Sequence, residues 1–393
     1  MKEVIRIVGT CERRVWGLTG SERIQRMLAS QGLTPQSETS GASVLLLRAD
    51  HIYDLRLLGA MARTEDVFQL SVGTPARMVA ARVPRDQADA AGAELGSGVG
   101  PILHALPSRH PSDLVTGFEM RLRKTEPPRV YNITSADLHA LELELFGGAY
   151  KGVTDLVTKW WWPIPAFHAT HLCIRLGLRP NHVTQLGLLL TLLATGAFAQ
   201  GWFGTGLVMG WFMTFLDTVD GKLARVTVTA SRFGDYLDHG IDLLHPPIWY
   251  AAWGMGVASY WAGPVPLTMA LWLMLYGYIG GRLCEGAFQL FAASFSLFVW
   301  RPLDSFNRLI TARRNPNMIL LTLFWLAGDA AGGLWAVVLW HLASTTFLLL
   351  RVLYAIAIRL RSGKLESWLV SVDPAKDRDQ LPVRIFTRAP ASF

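Results

Sequence analysis

The chain has 393 residues, 51% of them hydrophobic and only 17% charged, with 15 Trp and 18 Phe, which excludes a disordered chain, a collagen-like repeat and an ordinary soluble enzyme. Its three cysteines, Cys11, Cys173 and Cys284, are far apart and form no CxxC pair, so neither a disulfide framework nor a cysteine zinc site is encoded and reduced thiols are expected. A formal charge of +7 would suit nucleic acid or an anionic membrane surface, and the long apolar runs decide for membrane lipids and against nucleic acid.

The N-terminal stretch MKEVIRIVGTCERR holds no long apolar run, so no cleavable signal peptide is expected. Residues 1–149 read as a cytosolic α/β domain. Glu3–Val8, Ser43–Arg48 and Met78–Val83 have strand character, His51–Arg63 reads as helical, and a polar helix starts at Arg85. Val115–Leu122 and Arg129–Ile133 are expected to pair as strands. A last helix is capped by Ser135-Ala136-Asp137 and ended by Gly147-Gly148. The alternation favours a parallel or mixed sheet covered by helices.

Residues 150–180 form a bridge in which Trp160-Trp161-Trp162 stand beside Lys159 and Arg175, the pattern of an interfacial helix. Residues 181–360 read as a polytopic α-helical domain of six transmembrane helices. These run from about Val183 to Trp202, Gly206 to Val219, Tyr236 past Trp253, Pro266 to Phe291, Met318 to Leu326 and Leu334 to Ile358. Residues 361–393 are a tail. The second-to-third connection carries Lys222, Arg225 and Arg232, the fourth-to-fifth Arg301, Arg308, Arg313 and Arg314, and the tail opens with Arg359, Arg361 and Lys364. Positive-inside then puts both termini and the site below on the cytoplasmic face of an inner, cytoplasmic membrane.

The chemistry lies between the second and third helices. Asp217 and Asp220 are three apart, and Asp238 and Asp242 four apart, so each pair shares one helix face. Four carboxylates at a low-dielectric surface need counter-ions, and oxygen donors favour one or two hard divalent cations, Mg²⁺ or Mn²⁺, as used in phosphoryl chemistry. Salt bridges to Lys222, Arg225 and Arg232 would account for one or two of the carboxylates, not four. Gly221, Ala224 and Gly234 leave room for a nucleotide or diphosphate, or for close helix packing. Arg225 suits a bidentate phosphate contact, and Arg313 with Arg314 a phosphorylated acceptor. Arg282 and Glu285 are expected to form a structural ion pair, and His239 and His245 flank Asp242 as alternative bases.

The pattern Asp217-x2-Asp220-Gly221-x2-Ala224-Arg225-x8-Gly234-x3-Asp238-x3-Asp242 resembles the full signature of the CDP-alcohol phosphotransferases. The resemblance extends over Lys151–Leu360 and includes Pro180-Asn181-x2-Thr184. It implies a six-helix membrane enzyme that moves a substituted phosphate from a CDP-alcohol, such as CDP-diacylglycerol, to an alcohol or phosphorylated polyol and releases CMP. Asp217, Asp220, Asp238 and Asp242 would hold two metal ions, with Asp242 also the base. Gly221, Ala224, Arg225, Gly234, Asn181 and Thr184 would line the donor site. A homodimer is implied as well.

In the first domain, Trp16–Arg23 and Leu46–Asp54 resemble the phosphate loop and strand-end aspartate of sugar-nucleotidyltransferases, as in fused inositol-phosphate cytidylyltransferase/di-myo-inositol-phosphate-phosphate synthases. The glycine spacing differs, and Pro35-Gln36 stands where that superfamily has Pro-Lys, so a degenerate domain is expected. The alternatives are a bifunctional enzyme that also makes its CDP-alcohol from CTP, and an ion-coupled transporter.

Overall fold

The computed structural model describes residues 4–33, 42–98, 100–230 and 232–387, with backbone alone at 232, 233 and 235–239. Pro35-Gln36 and the Asp238 and His239 side chains therefore lie outside the described residues. The chain divides into two compact units. Residues 1–119, 126–149 and 224–230 form the first, and residues 120–125, 150–223 and 231–393 the second.

The first unit is built on β1 (Val4–Val8), β2 (Ser43–Arg48), β4 (Phe68–Val72), β5 (Arg77–Pro84) and β6 (Ser108–Arg109). The order β1-β2-β5-β4-β6 gives a mixed sheet, parallel at both edges and antiparallel in the middle. Strand alternation sorts the core into two layers. Ile5, Leu45 and Leu47 pack under the helices α1 (Gly20–Ser30) and α2 (Leu55–Arg63), and Val4, Val44 and Leu46 under α3 (Ala88–Ser97). A further helix, α4 (Leu138–Gly148), starts at the expected Asp137 cap.

Two local expectations are corrected. His51–Tyr53 is a short strand, β3, not helix, and it pairs with Val130–Asn132. The Asp54 side chain accepts from the Arg56 amide and so fixes the start of α2 at Leu55. Val130–Asn132 is thereby used by β3 rather than by the Val115–Leu122 stretch. β4 was not anticipated, because Gln69 and Ser71 interrupt its apolar run.

In the second unit, a π-helical turn (Val157–Trp161) leads into α5 (Pro163–Arg175). Trp160 and Trp161 are half exposed. Lys159 instead turns inward, donating to the Gly152 carbonyl at 3.0 Å and lying over the Phe386 ring. Six helices follow the expected apolar runs: α6 (Pro180–Ala199), α7 (Phe203–Val226), α8 (Arg232–Val257), α9 (Leu267–Ala287), α11 (Arg314–Leu326) and α12 (Ala330–Ser362). The short α10 (Pro302–Ile310) precedes α11. α6, α9 extended to Ala292, and α12 are long and apolar enough to cross a membrane. The 13 residues of α11 reach only about 20 Å, against the roughly 30 Å of a hydrocarbon core.

α9 and α12 approach closely because Gly277 and Gly281 face α12. A Cβ on Gly277 would lie 2.9 Å from the His341 Cβ, and one on Gly281 would lie 3.1 Å from the Thr345 hydroxyl. Pro246 and Pro247 interrupt α8. They remove the amides that would bond the carbonyls of Asp242 and Leu243. The Tyr278 hydroxyl from α9 donates to the Leu243 carbonyl at 2.8 Å instead. The tail is packed rather than loose: Val383 and Phe386 are buried, and the Trp368 indole donates to the Ser305 hydroxyl at 3.0 Å. All three cysteines are free thiols.

Candidate active site

On α7, Asp217, Asp220, Gly221 and Ala224 follow the i, i+3, i+4, i+7 positions of one face. The Thr184 hydroxyl on α6 donates to the Asp220 carboxylate at 2.6 Å. Asp220 is buried, so this bond offsets part of its desolvation. Asp242 comes from α8, just before the prolines.

The link between the two aspartate helices is Arg314, the first residue of α11. Its guanidinium donates to Asp217 at 2.5 Å and to Asp242 at 2.6 Å. It sits among the carboxylates. The position has a cause. Asn315, next in sequence, donates to the buried Asp155 at 2.9 Å and so fixes the first turn of α11. Neither Asp155 nor Asn315 was identified from sequence. The signal available was charge balance: a buried acidic cluster needs a cation, and the next helix entering from the same side begins with arginine.

A cleft opens beside this cluster, lined by Thr184, Gly187, Met213, Asp217, Asp220 and Ile241, among others. Asn181 is exposed in the first turn of α6. Lys222 lies 3.7 Å from the Tyr150 ring centroid, and within the first unit Arg225 donates to the Ala149 carbonyl at 3.0 Å. Gly221 and Gly234 are partly buried. His245 donates from Nδ1 to the Ile241 carbonyl and packs on Trp249.

Among the described residues no three His, Cys, Asp or Glu side chains gather tightly enough to hold a metal ion. Asp217, Asp220 and Asp242 are nonetheless hard oxygen donors of the kind a divalent cation takes, and the Arg314 guanidinium supplies positive charge to Asp217 and Asp242.

A second polar pocket is lined by Gly281, Arg282, Glu285, Thr311, Arg313 and Ser344, among others. Glu285 pairs with Arg313, not with Arg282 as expected. The Arg282 guanidinium lies over Tyr278. Among the described residues, Arg313 Nε is buried without a hydrogen-bond partner.

In the first unit, the two segments resembling a nucleotidyltransferase are occupied by their own neighbours. Glu22 accepts from the Thr19 amide at 2.8 Å and the Thr19 side chain caps the Glu22 amide, so the N-terminus of α1 is closed by a capping box. Asp50 takes two hydrogen bonds from Arg48 and one from His51. Burial works to raise the Asp50 carboxyl, yet these partners hold it down to about 2.

Residues 178–284 match the CDP-alcohol phosphatidyltransferase family, a stretch containing both aspartate pairs, the Thr184 contact and the glycines. Among curated proteins, the chain is 44% identical over 70 residues to the archaetidylinositol phosphate synthase of Pyrococcus horikoshii, covering 18% of this chain and 37% of that protein. It is 35% identical over 92 residues to the phosphatidylinositol phosphate synthase of Cutibacterium acnes, covering 23% and 42%. It is also 31% identical over 127 residues to the inner membrane protein YnjF of Escherichia coli, covering 31% and 58%. The chain thus spans about two-fifths of the length of the first two relatives. The family match and the apolar helices together point to membrane association.

Proposed function

We propose that this chain is a six-span membrane transferase that moves a substituted phosphate from a CDP-alcohol to a phosphorylated polyol and releases CMP on the cytoplasmic side. The observation carrying this reading is the union of Asp217 and Asp242, from different helices, on one part-buried cation beside a cleft that also holds Asp220 and Thr184. The family match over the same residues supports it.

In this reading Asp217, Asp220, Asp238 and Asp242 hold one or two Mg²⁺ or Mn²⁺ ions. Bound there, the metal would offset charge on the diphosphate and on the CMP leaving group. The diphosphate end of the donor enters the cleft beside Asp217 and Asp220, with Gly221, Gly234 and Asn181 completing the donor site. Asp242 takes the proton from the acceptor hydroxyl as it attacks phosphorus. Its carboxylate is two-fifths exposed and so accessible to that hydroxyl. Arg314 holds Asp242 beside Asp217 until the site is loaded.

The cavity with Arg282 and Arg313 is the acceptor site. The unpartnered Arg313 Nε and the hydroxyls of Thr311 and Ser344 suit a phosphate and a polyol. The names of the first two relatives agree with an inositol phosphate as that acceptor. In this reading Arg313 meets the acceptor, while Arg314 serves the carboxylates. Homodimeric assembly is part of the proposal by family resemblance. The first unit does not make the donor: Asp50 and the start of α1 are engaged internally. Incubation of the purified chain with CDP-diacylglycerol and a panel of polyols and polyol phosphates, with products read by mass, tests the assignment. A product confined to an unphosphorylated acceptor would remove the role given to Arg313.

A further inference from the structure

The turn joining the two aspartate helices, residues 224–230, belongs to the first unit. Its backbone follows a complete Schellman pattern. The Thr229 amide donates to the Ala224 carbonyl at 2.8 Å and the Val228 amide to the Arg225 carbonyl at 3.3 Å. Two helix-end carbonyls remain beyond that pattern, and two arginines of α1 take both. Arg23 donates to Val226 at 2.8 Å, and Arg26 donates to Thr227 at 2.9 Å. Arg23 is buried and also donates to the Val15 carbonyl at 3.0 Å, so it ties the end of α7 to the turn preceding α1.

The residue in the left-handed position is Val228, with φ of 51°. Glycine is the usual occupant, and a β-branched residue there is strained. The Val228 side chain packs against the core cluster of Ile24, Met27, Leu57 and Leu58. The unfavourable backbone persists because this side chain is needed as an anchor.

We propose that Arg23 and Val228 are positioning residues: by holding the turn that joins α7 to α8 in the first unit's core, they fix where α7 ends and α8 begins, and through the chain the register in which Asp217 and Asp242 meet. The inference rests on the transferase reading above. It gives the first unit a task that needs neither CTP nor an active nucleotidyltransferase site. A misplacement of about 1 Å at the reacting groups costs roughly a hundredfold in rate.

The test uses the full-length chain with Arg23→Ala, Arg23→Lys and Val228→Gly, read by CMP release and by Mn²⁺ binding without substrate, measured by electron paramagnetic resonance. Arg23→Ala is expected to lower kcat by about a hundredfold while donor KM changes less than about threefold. Arg23→Lys, which keeps one donor and the charge, restores part of the loss. Both Arg23→Ala and Val228→Gly weaken Mn²⁺ binding. Val228→Gly is decisive where Arg23→Ala fails to fold: as a mere helix cap, glycine relaxes the backbone and leaves kcat unchanged, but as an anchor its loss lowers kcat. Unchanged kcat and Mn²⁺ binding in Val228→Gly, in a protein whose wild type releases CMP, overturns the proposal. A wild type that releases no CMP overturns the transferase reading instead.

Discussion

Arg314→Met replaces the side chain of Arg314, which bridges Asp217 and Asp242, with an apolar side chain of similar length. The Asp217 contact, with that carboxylate 20% exposed, is worth about 2 kcal/mol as a charge-assisted hydrogen bond. The Asp242 contact is worth about 1 kcal/mol, because solvent screens a carboxylate that is 41% exposed. The metal-free protein should therefore lose about 3 kcal/mol, roughly a hundredfold in an equilibrium constant. The same energy opposes metal binding in the wild type, where the guanidinium must yield its carboxylates. Arg314→Met is thus expected to melt lower than wild type in EDTA, to gain more from Mg²⁺, and to bind Mn²⁺ up to about a hundredfold tighter. Thermal unfolding in detergent with and without Mg²⁺, together with Mn²⁺ titration, reads all three. Weaker Mn²⁺ binding by the variant would refute the reasoning, because Arg314 would then organise the metal ligands rather than stand in for the metal.

Gly221→Leu keeps the helix apolar and intact but places a side chain on the face shared with Asp217 and Asp220; donor KM, or binding of a CDP analogue, is expected to weaken by at least tenfold. Unchanged donor binding would assign Gly221 to helix packing. Burial lowers the Lys159 ammonium to about 8 from an ordinary value of 10.5. Between those values the folded chain binds fewer protons than the unfolded one, so stability rises as pH increases through this window, and the burial costs about 3 kcal/mol below it. Thermal melts from pH 7 to 10 should show this slope in the wild type and lose it in Lys159→Met; parallel profiles would mean that Lys159 stays charged in the fold.

The aspartate spacing was legible because it is local. Residues three and four apart on a helix share a face whatever the rest of the chain does. The six helical runs were legible for the same reason, with ends displaced by a few residues where Pro180 or Arg314 starts a helix earlier than hydropathy shows. The contacts of Arg314 were not legible, because its partners lie 72 and 97 residues away and nothing in its own segment points to them. The Glu285 pairing was misread likewise: Arg282 is three residues away, but Arg313 reaches it across the bundle. Tertiary pairing also turned His51–Tyr53 from apparent helix to strand, since Val130–Asn132 offers it an edge. The assignment of residues 224–230 to the first unit depends on Arg23, two hundred positions earlier, and on a valine where glycine would have announced a helix end.

The central claim, metal-dependent transfer through the aspartate cluster, is tested most directly by CMP released from CDP-diacylglycerol in the presence of an inositol phosphate. The assay compares the purified full-length chain and Asp217→Asn, each with Mg²⁺ and with EDTA. The expected result is CMP release by the wild type with Mg²⁺ alone, lost in EDTA and reduced by at least a thousandfold in Asp217→Asn, about 4 kcal/mol of transition-state stabilisation. CMP release that persists at near wild-type rate in Asp217→Asn, or in EDTA, would contradict it.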